Sequence, residues 1–327
     1  MKISYKNKKQ KLTQIYFVVA NINLGSSRLR AFQIKNELKI YHNIHIVTTK
    51  EIRSNNITNS IFIWIKNIDI NIIQNLKNNT HIYDVIDIFV KEQKYATHIL
   101  NKNIFQGLIV NNHLMHNEIQ KQTTYKGKIF TIHHHSDPGY EFIKKTNQNK
   151  LSFGYLGSIG SLSHSDNLLH HKKLIKKYPI QFINSETGRN TTDIVKNNKY
   201  EYQREHDPQG IEKININFNC HMSIRENNTP ISKYKTTAKL ATAAILEHNI
   251  ITTYESSVVD ILPSKYPFIL KDAKIKTIKN MIDLVIKDYN SDKKLWNEGL
   301  KIMSHVKQKL SIKQIIKKYT DMIETMS

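Results

Sequence analysis

The chain has 327 residues, enough for two domains of ordinary size, and its 49 Lys and Arg against 27 Asp and Glu leave a formal charge of +22. One cysteine, Cys220, excludes an internal disulfide and makes a reducing compartment the default. No apolar run approaches the roughly 20 residues that span a bilayer, and "IYFVVA" is too short for a signal-peptide core, so a soluble, cytoplasmic protein is expected. The charge suggests a polyanionic partner or contact with the inner face of an anionic membrane. Abundant Lys, Asn and Ile also fit an AT-rich genome, which raises lysine everywhere without selecting a basic face.

In chain order, "QIYFVVANI" reads as a strand, followed by a helix from about Ser27 to Leu38 with Leu29, Phe32 and Leu38 on its apolar face and Ser26 or Ser27 as N-cap. Gly25 and Ser26 then lie in the first strand-to-helix turn, a favoured place for a phosphate. Further strands are "IHIVTT", "IFIWIK", "HIYDVIDIF", "GLIVNN" and "KIFTIHHH". Asp84 and Asp87, in an apolar surround, are candidates for a general base or for binding hydroxyls, with capping or turn formation as the alternative. In "IHHHSDPG" neighbouring strand residues face opposite ways, so the three histidines cannot share one metal. A zinc site from His133, His135 and Asp137 is conceivable, but no metal site is expected. One histidine belongs in the core and another, His134 or His135, in a cleft where it can bind a hydroxyl or move a proton.

The polar stretch 141–150 reads as a linker, dividing an N-terminal Rossmann-like domain, 1–145, from a C-terminal one, 146–327. The second half repeats the alternation with "LSFGYLG", "IQFIN", "INFNCHMSI" and "NIITTY". Gly154, Gly157 and Gly160 concentrate in one turn in a chain with only 10 glycines, which points either to tight packing or to close approach of a phosphate or sugar near Gly157 and Ser158. Arg225 and Glu226 follow a strand; the guanidinium fork of Arg225 suits a diphosphate, Glu226 is a candidate acid, and a surface ion pair between them is the alternative. Helices close the chain, with an amphipathic tract from Asp292 through Met326. The fold class is α/β: two Rossmann-like domains facing a cleft, with C-terminal helices.

The segment "KTTAKLATAAILEHNIITTYESSVVDILP", with Lys239, Leu240, Ala243 and Ala244 on a helix, Asn249 to Ile251 on a strand, then Glu255, Ser256, Ser257, Val258, Val259 and Leu262, resembles the donor-binding half of GT-B glycosyltransferases. It is most similar to the family 4-like enzymes that build bacterial surface polysaccharides. The resemblance implies that Arg225 and Lys239 hold the donor diphosphate, that Glu255, Ser256 and Ser257 lie toward the nucleotide, and that Gly25 and Ser26 lie near the phosphates. It also implies that His134 or His135 lies near the transferred sugar and Gly157 beside the cleft. The paired glutamates of retaining members are absent: eight positions after Glu226 stands Tyr234, and the acidic position of the helix is Thr242.

The activity so implied is transfer of a sugar from a nucleotide sugar to a saccharide or lipid-linked acceptor, in capsule, O-antigen or lipooligosaccharide synthesis. Fixed cations neutralise the departing diphosphate, so no obligatory cofactor or metal is expected. A basic nucleic-acid or membrane-surface protein, a nucleotide-sugar epimerase and a noncatalytic subunit are the alternatives. The chain lacks the aromatic-basic interleaving of single-strand binders, so no nucleic-acid partner is expected.

Overall fold

The computed structural model describes residues 13–52, 57–86, 93–143, 150–157, 174, 177–183, 215–225, 234, 238–254 and 256–327. The first sheet contains β1 (Gln14–Val19), β2 (Asn43–Thr48), β3 (Ser60–Ile65), β4 (Thr80–Val85), β5 (Gly107–Val110) and β6 (Lys128–Thr131), in the order β2-β1-β3-β4-β5-β6. The second contains β7 (Phe153–Leu156), β8 (Ile180–Ile183), β9 (Cys220–Ser223), β10 (Asn249–Thr253) and β11 (Ile269–Leu270), in the order β11-β10-β9-β7-β8. Every pairing is parallel. A parallel sheet is covered on both faces, so its strands must be apolar on both, and every residue of β3, "SIFIWI", is buried.

The helices among the described residues are α1 (25–38), α2 (Thr49–Ile52), α3 (Ile70–Asn75), α4 (Gln93–Asn101), α5 (His113–Gln122), α6 (Ala238–Ile245), α7 (Ser256–Val259), α8 (Ile275–Tyr289), α9 (Lys294–Lys309) and α10 (Ile312–Met326), with a 3-10 turn at Pro138–Phe142. Strand alternation sorts the first sheet into two cores. Ile15, Phe17, Ile61 and Ile63 face α1 and α10, whereas Val18, Phe62, Trp64 and Tyr83 face Ile72 of α3, Leu100 of α4 and Met115 of α5. The second sheet has its own main core, with Cys220 and Met222 of β9, Leu240 and Ala244 of α6, Ile282 of α8 and Met303 of α9. Cys220 is fully buried, and burial pushes its thiol pKa up, so it is a small core residue.

Helix α1 departs from the expected pattern. Its N-cap is Leu24, without a side-chain cap, and not Ser26 or Ser27; Ser27 Oγ instead donates back to the Asn21 carbonyl. The middle of α1, Arg28–Phe32, is a π-helical turn between two α-helical segments, Gly25–Ser27 and Gln33–Leu38. A wider turn shifts the inward face relative to a 3.6-residue reading. Arg30, Ala31, Ile34 and Leu38 therefore point inward, while Phe32, expected in the core, is 38% exposed.

Arg30 is 0% exposed, and its Nε and Nη2 meet Asp84 Oδ2 and Oδ1 at 2.7 and 3.0 Å. Nη1 donates to the carbonyls of Ile132 and His133, both at 3.2 Å, and the guanidinium lies 5.7 Å from the ring of Tyr319 on α10. Burial is the largest single influence and opposes the charge on Arg30, but Asp84 and Tyr319 together outweigh it, so the guanidinium stays charged.

The terminal tract is two helices and not one. Leu310 leaves helical geometry and Ser311 caps α10, accepting from Gln314 N. Trp296, Met303 and Val306 of α9 belong to the second core, whereas Ile315, Tyr319, Met322 and Ile323 of α10 belong to the first. Helix α9 approaches β10 through Gly299, where a Cβ would stand 2.3 Å from Asn249 Oδ1 and 2.9 Å from Phe268. Asn249 is itself fixed there, donating to the Trp296 carbonyl at 3.0 Å.

Two outcomes follow for unfolding monitored in denaturant. Arg30→Ala strands a buried carboxylate and should lose about 3–5 kcal/mol, whereas Arg30→Met with Asp84→Leu should recover most of that; equal losses would contradict the ion-pair account. Gly299→Ala should lose about 1–3 kcal/mol through overpacking, and Asn249→Ala in the same chain should relieve part of it.

Candidate functional site

In the second sheet the chain runs from β7 outward to β8, then returns to the other side of β7 to lay down β9. The crevice at the carboxyl ends of β7 and β9 is thus a topological switch point, where open α/β sheets bind ligands. Gly157 follows β7, Arg225 follows β9, and Thr253 ends β10. Arg225 is 4% exposed, and its backbone N–H donates to Thr253 Oγ1 at 3.0 Å, tying the two strand ends together.

Lys239, in the first turn of α6, reaches across this edge, with Nζ 4.6 Å from the centroid of the Tyr155 ring. A Cβ at Gly157 would stand 2.8 Å from the Tyr155 hydroxyl and 3.1 Å from Lys239 Cε, so glycine there leaves room for the lysine. The small residues Ala241, Ala243 and Ala244 are almost fully buried and let α6 lie close against β9 and β10. Two cations and a glycine thus share one strand edge, an arrangement that suits an anionic ligand. The remaining glycine of the turn that can be judged, Gly154, has another explanation: a Cβ would enter the Phe218 ring, so packing requires it.

Ser256 and Ser257 open the four-residue α7 just beyond β10. Asp87, Ser158, Gly160, Glu226 and Glu255 lie outside the described residues. Gly25 and Ser26 form the first turn of α1, with Gly25 exposed and nothing within 4 Å of a Cβ there, so packing does not demand glycine.

The expectation that Asp84 acts as a base is corrected. It is 0% exposed with both oxygens engaged by Arg30, which leaves it no route to a substrate. His135 also differs from the expectation of a proton carrier. Its Nε2 lies 2.6 Å from Gln33 Oε1, and Gln33 Nε2 donates to Asp137 Oδ1 at 2.7 Å, which assigns the proton to His135 Nε2. Burial, with Arg30 nearby, pushes its pKa down to about 3, so it stays neutral and is a very weak base. His133 is the core histidine, with Nδ1 2.7 Å from the Asn111 carbonyl and its pKa pushed down to about 4 by burial. His134, between them, is only half-buried and remains the candidate of the three. Asp137 takes Gln33, Arg28 Nε at 3.2 Å and Gly139 N at 2.9 Å, so these residues are joined to the protein and do not converge on a metal. Among the described residues no group of three or more His, Cys, Asp or Glu could hold a metal ion, and no helix is long and apolar enough to cross a membrane.

Sequence reasoning missed Arg30, which a regular helical period hides, and Tyr155, whose ring supports Lys239. It also missed the buried pair His221 and His248, whose Nε2 and Nδ1 lie 3.1 Å apart. Their positions before β10 and early in β9 put them away from the carboxyl edge.

No protein-family model matches the chain, and no curated protein does. Solved structures do match over nearly the full length. A glycosyltransferase from Rickettsia africae ESF-5 is 13% identical, covers 97% of this chain and 99% of its own, and superposes with a TM-score of 0.61. Sucrose-phosphate synthase from Thermosynechococcus elongatus is 7% identical, covers 96% and 98%, and gives 0.64. Anabaena HepE in complex with UDP-glucose is 11% identical, covers 95% and 99%, and gives 0.63. The likeness is one of fold: two parallel-sheet α/β domains with C-terminal helices, the GT-B architecture.

His133 and His135 fold as neutral rings with depressed pKa values, so below the ordinary histidine value of 6.5 the unfolded chain binds protons that the native state does not. Their contribution is complete above pH 6.5 and is lost as pH falls, by at most about 1.4 kcal/mol per pH unit for each ring, down to their native values. His135→Asn should therefore flatten the pH dependence of unfolding free energy between pH 6 and 4.5 by about 1 kcal/mol per unit; an unchanged slope would disprove the assignment.

Proposed function

We propose that this protein transfers a sugar from a nucleotide-sugar donor to a saccharide or lipid-linked acceptor, in the assembly of a surface polysaccharide such as capsule, O-antigen or lipooligosaccharide. The observation that carries this reading is the convergence of Gly157, Lys239 and Arg225 at the switch point of the second sheet. The fold neighbour HepE in complex with UDP-glucose supports it.

In this reading residues 1–145 bind the acceptor and residues 146–327 bind the donor, with α10 returning to the first sheet. Arg225 and Lys239 take the diphosphate, and their fixed charges stabilise the leaving group without an obligatory metal. Ser256 and Ser257 lie toward the nucleotide, and Gly25 and Ser26 border the phosphates from the other half. His134, Asp87 or Glu226 assists the acceptor hydroxyl, and closure of the halves excludes water. The basic protein works in the cytoplasm, in peripheral contact with the inner membrane face, where a lipid-linked acceptor would lie.

Thermal unfolding with UDP, GDP, CMP, ADP and dTDP, with and without EDTA, tests the donor site. One nucleoside diphosphate at about 100 times its Kd should stabilise the fold by about 2.7 kcal/mol. The shift should survive EDTA and fall by more than half in Arg225→Ala and in Lys239→Ala. No shift with any nucleotide would refute the transferase reading.

A further inference from the structure

Lysines and histidines collect at the carboxyl edge of the first sheet, where it meets the second half. Helix α5 begins directly after β5, and its first amides are already capped: Met115 N donates to Asn112 Oδ1 at 2.8 Å, and His113 N donates across to Asp260 Oδ2 at 2.5 Å. The side chains around that end are what remains open. The His113 ring stands edge-on to His133, with centroids 6.2 Å apart. One turn on, His116 Nδ1 lies 3.2 Å from Thr131 Oγ1, and the carbonyl of the same Thr131 accepts from Lys318 Nζ of α10 at 3.2 Å. Lys309, at the end of α9, donates to the carbonyl of Asp260 at 2.7 Å.

Thr131 thus holds His116 beside Lys318, and Asp260 holds His113 beside Lys309. Among the described residues both lysines bond to backbone carbonyls and neither ammonium has a carboxylate partner; Lys309 is exposed, and Lys318 is exposed along its length with its ammonium partly covered. Among the described residues Asp260 is the one carboxylate bonded within this group, against two lysines and three imidazoles drawn from α5, β6 and its following loop, α9 and α10.

We propose that His113, His116, Lys309 and Lys318 form a binding site for a phosphomonoester carried by the acceptor sugar. The acceptor assignment rests on the transferase reading above; anion binding at the cluster does not. A phosphomonoester is close to a dianion at neutral pH and presents three terminal oxygens, which matches donors arriving from several elements. Burial and like charge both disfavour further positive charge here: burial and then Lys309 lower the pKa of Lys318, burial and then His113 lower that of His116, and burial, with smaller shares from both lysines, keeps His133 neutral. A bound dianion removes that repulsion. Thr131 ends β6 and His113 follows β5, so the cluster lies on the carboxyl edge of the first sheet, the edge an acceptor would occupy.

The test is a histidine-ring NMR titration with inorganic phosphate at constant ionic strength, in the full chain and in Lys309→Gln/Lys318→Gln. Lys276→Gln/Lys287→Gln, on the exposed side of α8, serves as control. His113 and His116 should shift saturably, and affinity should weaken about tenfold in the first variant and not in the control. No saturable shift, or equal affinity in both variants, overturns the site. Glucose 6-phosphate should bind at least as well as phosphate and glucose should not; equal binding of the two sugars overturns the phosphomonoester assignment. Binding of phosphatidic acid vesicles in place of the sugar phosphate overturns the acceptor assignment. Phosphate binding without any nucleotide-induced shift upholds the anion site while removing the transferase reading, and a nucleotide shift without phosphate binding does the reverse.

Discussion

The buried ion pair of Arg30 and Asp84 is the constraint around which the first half is arranged. An unpaired charge in that interior would be prohibitive, so the helix carrying Arg30, the strand carrying Asp84 and the loop supplying the Ile132 and His133 carbonyls must meet at one point. Helix α10 joins them through Tyr319. The π-helical turn is the local distortion that aims Arg30 inward, with Gln33 N donating five residues back to the Arg28 carbonyl. The same loop then carries His134 to the carboxyl edge, so the position of a candidate site residue depends on a pair that takes no part in chemistry.

The two halves are joined where the chain crosses twice. Ser136 N donates to the Leu310 carbonyl at 2.9 Å, and Ser136 Oγ donates to the Ala241 carbonyl on α6, also at 2.9 Å. The next residue, Asp137, is bonded back to Gln33 and Arg28 of α1. One peptide therefore separates a residue held by the second half from a residue held by the first. The return crossing at Leu310–Ser311 lies against it, and the apolar stripe of α10 then completes the core beneath β1 and β3.

At the candidate donor edge, rigidity and charge come from different residues. Thr253 and the alanines of α6 fix the backbone, while Arg225 and Lys239 supply the field. Cations held in place before a ligand arrives need little reorganisation when negative charge develops, which is the physical basis of the proposed donor role. Lys309 and Lys318, held on the carbonyls of Asp260 and Thr131, place further positive charge at the edge of the first sheet.

Much of the architecture was legible because hydrophobic periodicity reports directly on burial: each of the strands β1 to β10 overlaps a run identified by composition and alternation, with β2, β3 and β4 starting one residue earlier, and the segment 238–245 is the helix expected there. The two-residue β11 escaped, being too short to show a period. The family resemblance, and not residue type alone, brought Arg225, Lys239 and Gly157 together as candidates. Sequence could not separate a buried carboxylate paired with arginine from a catalytic one, because Asp84 and its partner are 54 positions apart. It could not see that one extra residue per turn would rotate Arg30 inward and Phe32 outward. Nor could it break the terminal tract at Leu310, since both helices carry the same amphipathic stripe and only the presence of two separate cores decides which one each stripe covers. Local pattern determines which face is buried; what that face meets, and hence which polar groups are paired or left for a ligand, is decided by contacts between distant segments.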